Sequence, residues 1–244
     1  MGHIIGVLGF RKVCARWVPC MLSDEMKAER VHISQELLEH LEIGENFLKK
    51  FITGDETWVH HYDPENKRQS MEYCHKESPQ LKKFKTHASV GKVTLTVFWN
   101  SERVVLADFH EKERKMNSQH YIETLTVLKR RIEQNGIRNE TLFQHNNARL
   151  HRSAATRDAI QRLDFTVLPH PPYKPDLAPN NFHLFPKLKG QCFSCDEEVK
   201  SAVRKRFQKQ NTDFFKDRFQ KLVQRWRKCI EVRGIFCRKI IMQL

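Results

Sequence analysis

Phe51-Ile52-Thr53-Gly54-Asp55-Glu56-Thr57-Trp58 is the stretch whose reading decides the fold. It opens on aromatic and β-branched residues, the composition of a strand, and runs into a carboxylate at Asp55. The pattern predicts a strand over 51–62, a turn at Asp63-Pro64-Glu65-Asn66 and a second strand over 68–74. An acid late in an apolar strand has two readings. It is a ligand held by a rigid element, or an ordinary half-buried acid satisfied by backbone donors. Strand alternation points Glu56 to the opposite face from Asp55, so Glu56 is not expected to join it.

Further along, 79–89 reads as a basic loop carrying Lys82, Lys83 and Lys85. Segments 93–99 and 103–109 predict a second hairpin. Asn117 or Ser118 starts a helix with Tyr121, Leu125, Leu128 and Ile132 on one face and Gly136 as its stop. A short strand over 141–145 leads to Asn146. Ser153 caps the next helix, which ends near Leu163. A buried strand is expected over 165–168, followed by a Pro-rich loop over 169–179, then Asn180 as a possible helix cap and Asn181.

Towards the N-terminus, Ser23 caps a helix that has Asp24 and Glu25 at its positive end, the stripe Ile33, Leu37, Leu38 and Leu41, and Gly44 as its close. Towards the C-terminus, two helical stripes follow: Val199, Val203 and Phe207, then Phe215, Phe219, Leu222, Trp226 and Ile230. Four strands, then helix, strand, helix, strand and helix, predict an α/β mixed sheet flanked by helices, with an N-terminal linker helix and C-terminal helices.

Net charge is +14 over 244 residues. Such a balance points to a polyanionic partner, nucleic acid foremost. No apolar run approaches the ~20 residues of a membrane span. No basic region precedes the apolar start, so no secretory signal or membrane partner is expected. Seven cysteines, odd in number and unevenly spread, fit reduced intracellular thiols. Cys192 and Cys195 form a lone C-x-x-C without the further ligands zinc needs.

Three groups of words together resemble the catalytic domain of mariner-type DNA transposases. The block 51–58 is similar to the family's first-aspartate block. His145-Asn146-Asn147-Ala148-Arg149-Leu150-His151 resembles a His-Asp-Asn-Ala-Arg-Pro-His motif, with Asn146 at the aspartate and Leu150 for the Pro. Tyr173-Lys174-Pro175-Asp176-Leu177-Ala178-Pro179-Asn180-Asn181-Phe182-His183-Leu184-Phe185 resembles the third block, with Lys174 for a Ser and Asn181 at the last aspartate. Asn146 and Asn181 have thirty-four residues between them, the family's spacing. Taken alone, each Asn is also an ordinary residue at an element boundary.

The resemblance implies an RNase H-like (DDE/D transposase/integrase) fold and metal-dependent DNA cleavage and strand transfer. The divalent ions, Mg²⁺ or Mn²⁺, would be held at Asp55 and the positions of Asn146 and Asn181. Replacing two carboxylates by amides takes that set from −3 to −1, so metal binding is expected to be weak or absent and catalysis defective. Asp176 is a nearby acid but not an evident replacement.

By the same resemblance, residues 1–45 are a remnant of the DNA-binding and linker region. Residues 46–195 are the catalytic domain, with a clamp loop at about 63–87, and 196–244 form a C-terminal helical region. Trp17, Val18, Pro19 and Leu22 match a linker used in dimer contacts; simple core packing of Trp17 is the plainer reading. The family's N-terminal helix-turn-helix modules are reduced to a stub, so specific binding to transposon ends is expected to be lost. Relatives fused to a SET methyltransferase also carry Asn at the third position; this chain has no room for a SET domain, and methyl transfer is not expected.

Three functions follow as alternatives. One is a nuclear, catalytically defective domain that binds DNA non-specifically through Lys82, Lys83, Lys85, Arg204, Lys205 and Arg206, although a charge run is more often a solvated face. Another is residual nuclease activity at Asp55. The last is a dimerisation module, as homodimer or as heterodimer with an intact mariner transposase that it inhibits.

Overall fold

A computed structural model describes residues 21–44, 46–62, 64, 87–110, 117–136, 141–171, 176–180, 184 and 192–236. The expected strand at 68–74, Trp17, Val18, Pro19, Lys82, Lys83, Lys85 and Asn181 lie outside them, as does nearly all of the clamp-loop region.

Strand β1 (Phe51–His60) is the middle of a five-stranded sheet. On one side, β2 (Lys92–Trp99) and β3 (Val104–His110) run antiparallel, the expected hairpin. On the other, β4 (Thr141–Gln144) and β5 (Phe165–Val167) run parallel, giving the order β3-β2-β1-β4-β5. Parallel neighbours need crossovers, and helices between the strands supply them.

The helices are α1 (Asp24–Ile43), α2 (Phe47–Lys50), α3 (Ser118–Gln134), α4 (Ala154–Arg162), α5 (Asp196–Gln208) and α6 (Thr212–Glu231). Caps expected at Ser23 and Ser153 form: each hydroxyl accepts a backbone N–H three residues on. Asn117 caps α3 in the same way, and Gly136 ends that helix with φ 75°. Gly44 closes α1 differently. Its φ is −96°, and the left-handed residue is Asn46 at φ 65°.

Strand alternation sorts the core onto two faces. Phe51 and Val59 of β1, with Val93, Leu95, Val97 and Trp99 of β2, pack under α1, α5 and α6. Ile52, Phe98 and Phe143 pack against Tyr121, Leu125, Leu128 and Ile132 of α3 and Ile160 of α4. Edge-on aromatic contacts knit the first core: Phe51 meets Phe219 at 5.6 Å and Trp226 at 6.1 Å. Gly54 lies opposite Phe98, and a Cβ there would sit 2.3 Å from its ring. Glycine at that position lets the ring cross β1.

Two expectations need correction. The strand at 165–168 is not buried throughout: Phe165 is, but Thr166 and Val167 are exposed, because β5 is the sheet edge. Ile230 is only half-buried, while Val223 and Cys229 complete the inner stripe of α6.

Candidate active site

β1 and β4 pair from Phe51 opposite Leu142 as far as Thr53 opposite Gln144, where β4 ends. β1 runs on, and residues 145–148 cross beside its exposed edge. That offset brings Asn146 against Asp55 and Glu56. Asn146 Nδ2 donates to Asp55 Oδ1 at 3.0 Å and to Glu56 Oε2 at 3.2 Å. Its Oδ1 accepts the Ala148 N–H at 2.9 Å, a role only oxygen can play, which fixes the amide orientation.

Glu56 was expected on the far face. Its Cβ does leave from that face, but its longer side chain reaches past the end of β4 to the same amide. There it also meets His151: Nε2 lies 3.1 Å from Oε1. His151 is 2% exposed, and its Nδ1 donates to the Asn146 carbonyl at 3.1 Å. Both ring nitrogens therefore face oxygen. Tyr121 stacks on His151 at 4.0 Å and places its hydroxyl 3.0 Å from His145 Nδ1. The His145-x₅-His151 spacing around Asn146 was the signal available for this pair; Tyr121 read only as a core position.

Electrostatics mark Asp55. Burial and the neighbouring Glu56 charge raise its carboxyl to about 6, against the amide of Asn146, the Glu56 backbone N–H and His151, which pull it down. Burial, and then the Glu56 and Asp55 charges, push the Tyr121 hydroxyl well above the usual phenol range.

Asp176 is elsewhere. Its carboxylate meets Arg30 Nη2 of α1 at 2.9 Å, with both side chains buried. Asn180 is no free cap: it is buried, and its Oδ1 accepts from the indole Nε1 of Trp99. Arg204 lies over the Phe109 ring at 5.1 Å. Lys205 is exposed and Arg206 half-buried, so these three fan around α5 and do not form one patch. Leu22 is half-buried ahead of α1.

The described residues do not fit a pair of divalent ions. Two carboxylates converge, but the third group turns N–H toward them and its oxygen away. Among the described residues no group of three or more His, Cys, Asp or Glu is placed to hold a metal ion.

Residues 63–141 match the family model described as transposase (partial DDE domain). The Mariner Mos1 transposase of Drosophila mauritiana is 30% identical over 228 residues, covering 90% of this chain and 65% of the transposase. The human histone-lysine N-methyltransferase SETMAR is 28% identical over 237 residues, 94% of this chain but 34% of that protein. The chain thus spans about a third of one relative and just under two thirds of the other. Among solved structures, the Mos1 paired-end complex with left transposon end matches with a TM-score of 0.83 at 28% identity, over 96% of this chain and 70% of that one. A Mos1 paired-end complex with Mn gives the same TM-score over 97% of this chain and 71% of that one. The chain is a homologue of the mariner-type DNA transposases and carries their RNase H-like catalytic fold.

Proposed function

We propose that this chain is a mariner transposase-derived, non-specific DNA-binding protein whose ancestral DNA cleavage and strand transfer are lost. One observation carries the loss. The amide N–H of Asn146 lies against Asp55 and Glu56, where the chemistry of the family calls for an acid facing a cation. An N–H donor neutralises part of the carboxylate repulsion and so takes up the role of a metal without its charge. By the sequence resemblance, Asn181 removes a second carboxylate from the same set. DNA binding rests on the net charge of +14 and on kinship with a transposase solved on transposon ends. Nuclear residence and the remnant linker at 1–45 belong to the same reading.

The test is plasmid nicking in Mg²⁺ and Mn²⁺ by the chain, by its Asn146→Asp/Asn181→Asp double variant, and by Asp55→Ala. Nicking by the double variant alone supports the proposal. Nicking by the starting chain that disappears in Asp55→Ala makes it a working nuclease and removes the proposal.

A further inference from the structure

Of the described tryptophans, Trp99 and Trp226 are 0% and 1% exposed, while Trp58 is 59% exposed. A large aromatic left in water forgoes the burial that the fold gives Trp99 and Trp226. Trp58 follows Glu56 by two residues, so the two stand on one face of β1, about 7 Å apart along the strand. Lys92 of β2 places its Nζ 3.3 Å from the centre of the indole. That cation covers part of the ring, and the rest of it stays open to solvent. Its flanking side chains on the sheet are polar: Thr94 lies directly opposite Trp58, and His60 opposite Lys92. His60 Nδ1 donates to the Ser89 carbonyl at 2.8 Å, which anchors the ring beside the pair.

We propose that Trp58 and Lys92 form a stacking site for an unpaired nucleobase of single-stranded DNA. The indole supplies the π-face and the Lys92 ammonium the partner for the adjoining phosphate. A ring with a cation over it suits a ligand that alternates flat faces with anionic groups, and single-stranded nucleic acid has that pattern. In duplex DNA the base faces are already stacked, so this site distinguishes strand state and does not read sequence. The inference rests on the DNA-binding reading above and adds the form of DNA that the face beside Glu56 takes.

The full chain is titrated, by fluorescence anisotropy, against labelled oligo(dT) and against a random-sequence duplex of equal length. Trp58→Ala is expected to weaken oligo(dT) binding by on the order of ten-fold or more while leaving duplex binding within about two-fold. Trp58→Phe, which keeps a stacking ring, is expected to retain most of the affinity. Lys92→Ala is expected to lower the salt slope on oligo(dT) by about one phosphate's worth, ~0.7. Unchanged oligo(dT) binding in Trp58→Ala overturns the proposal. So does an equal loss on both DNAs, or a loss in Trp58→Phe as large as in Trp58→Ala, because each makes Trp58 a packing residue. If the unmodified chain binds neither DNA, the broader DNA-binding reading fails first and this one with it.

Discussion

Two polar clusters in this molecule are built on opposite principles. Arg30 and Asp176 are both buried, carry opposite charges and are tied into backbone: Arg30 Nε also donates to the Gly234 carbonyl at 2.8 Å, and the Asp176 carbonyl accepts from Arg225 at 2.6 Å. The pair clamps α1 to the Pro-rich loop and to the end of α6. At Asp55 and Glu56, two carboxylates meet, and burial works against the charge on Asp55. Folding pairs opposite charges in the first cluster and tolerates like ones in the second. Charge placed where the fold gains nothing from it is the mark of a site inherited for chemistry.

The contrast breaks most sharply at the ion pair. Asp176→Ala leaves Arg30 buried without its carboxylate and is expected to cost about 3–5 kcal/mol in urea unfolding. A cost below about 1 kcal/mol would make the clamp incidental. Next is Asn146→Asp in the absence of metal. It replaces an N–H donor by a third carboxylate beside Asp55 and Glu56 and is expected to destabilise by about 2 kcal/mol at neutral pH. Unchanged stability would mean that the amide does not bridge the two acids.

Asp55→Asn is expected to act in the other direction. Burial holds the folded carboxyl up at about 6, above its ordinary 3.8, so ionising it costs the folded state. That cost is absent below about pH 4, grows as pH rises and is complete above about pH 6 to 7. The variant is therefore expected to gain about 2–3 kcal/mol at pH 8, with the gain fading towards pH 4. A gain that does not vary with pH would place its origin outside this carboxyl. The smallest effect is expected at an ordinary surface pair. Lys221→Met removes one of two cations beside Asp217, 2.8 Å away and half in solvent, with Arg218 remaining, at a cost of about 0.5 kcal/mol or less.

Local chemistry was legible in the sequence, while contacts between distant segments were not. Ser23, Asn117 and Ser153 cap where their side chains and the following apolar periods place them, and the β2–β3 hairpin is an alternation pattern within one short segment. The parallel pairing of β1 with β4 joins segments some ninety residues apart, and no local period encodes it. The resemblance implied only the kind of fold that contains it. Asp55 and Asn146 were legible as a pair through that resemblance. Glu56 was misread because alternation fixes where Cβ points, whereas a long side chain at the end of a neighbouring strand reaches round it. Arg30 sits on the inner face of α1, three residues before Ile33 and seven before Leu37, where a charge signals a buried partner. The partner itself, Asp176, belongs to a different motif and was visible only in three dimensions.

On the proposed function, Asn146 and Asn181 silence a metal site on an intact scaffold. Thermal unfolding with and without millimolar Mn²⁺ tests it most directly, comparing the chain with its Asn146→Asp/Asn181→Asp double variant. The expected result is no shift for the chain and a rise of several degrees for the double variant, lost again when Asp55→Ala is added. A comparable rise in the chain itself, abolished by Asp55→Ala, would show that the two asparagines leave the metal site working and would contradict the account.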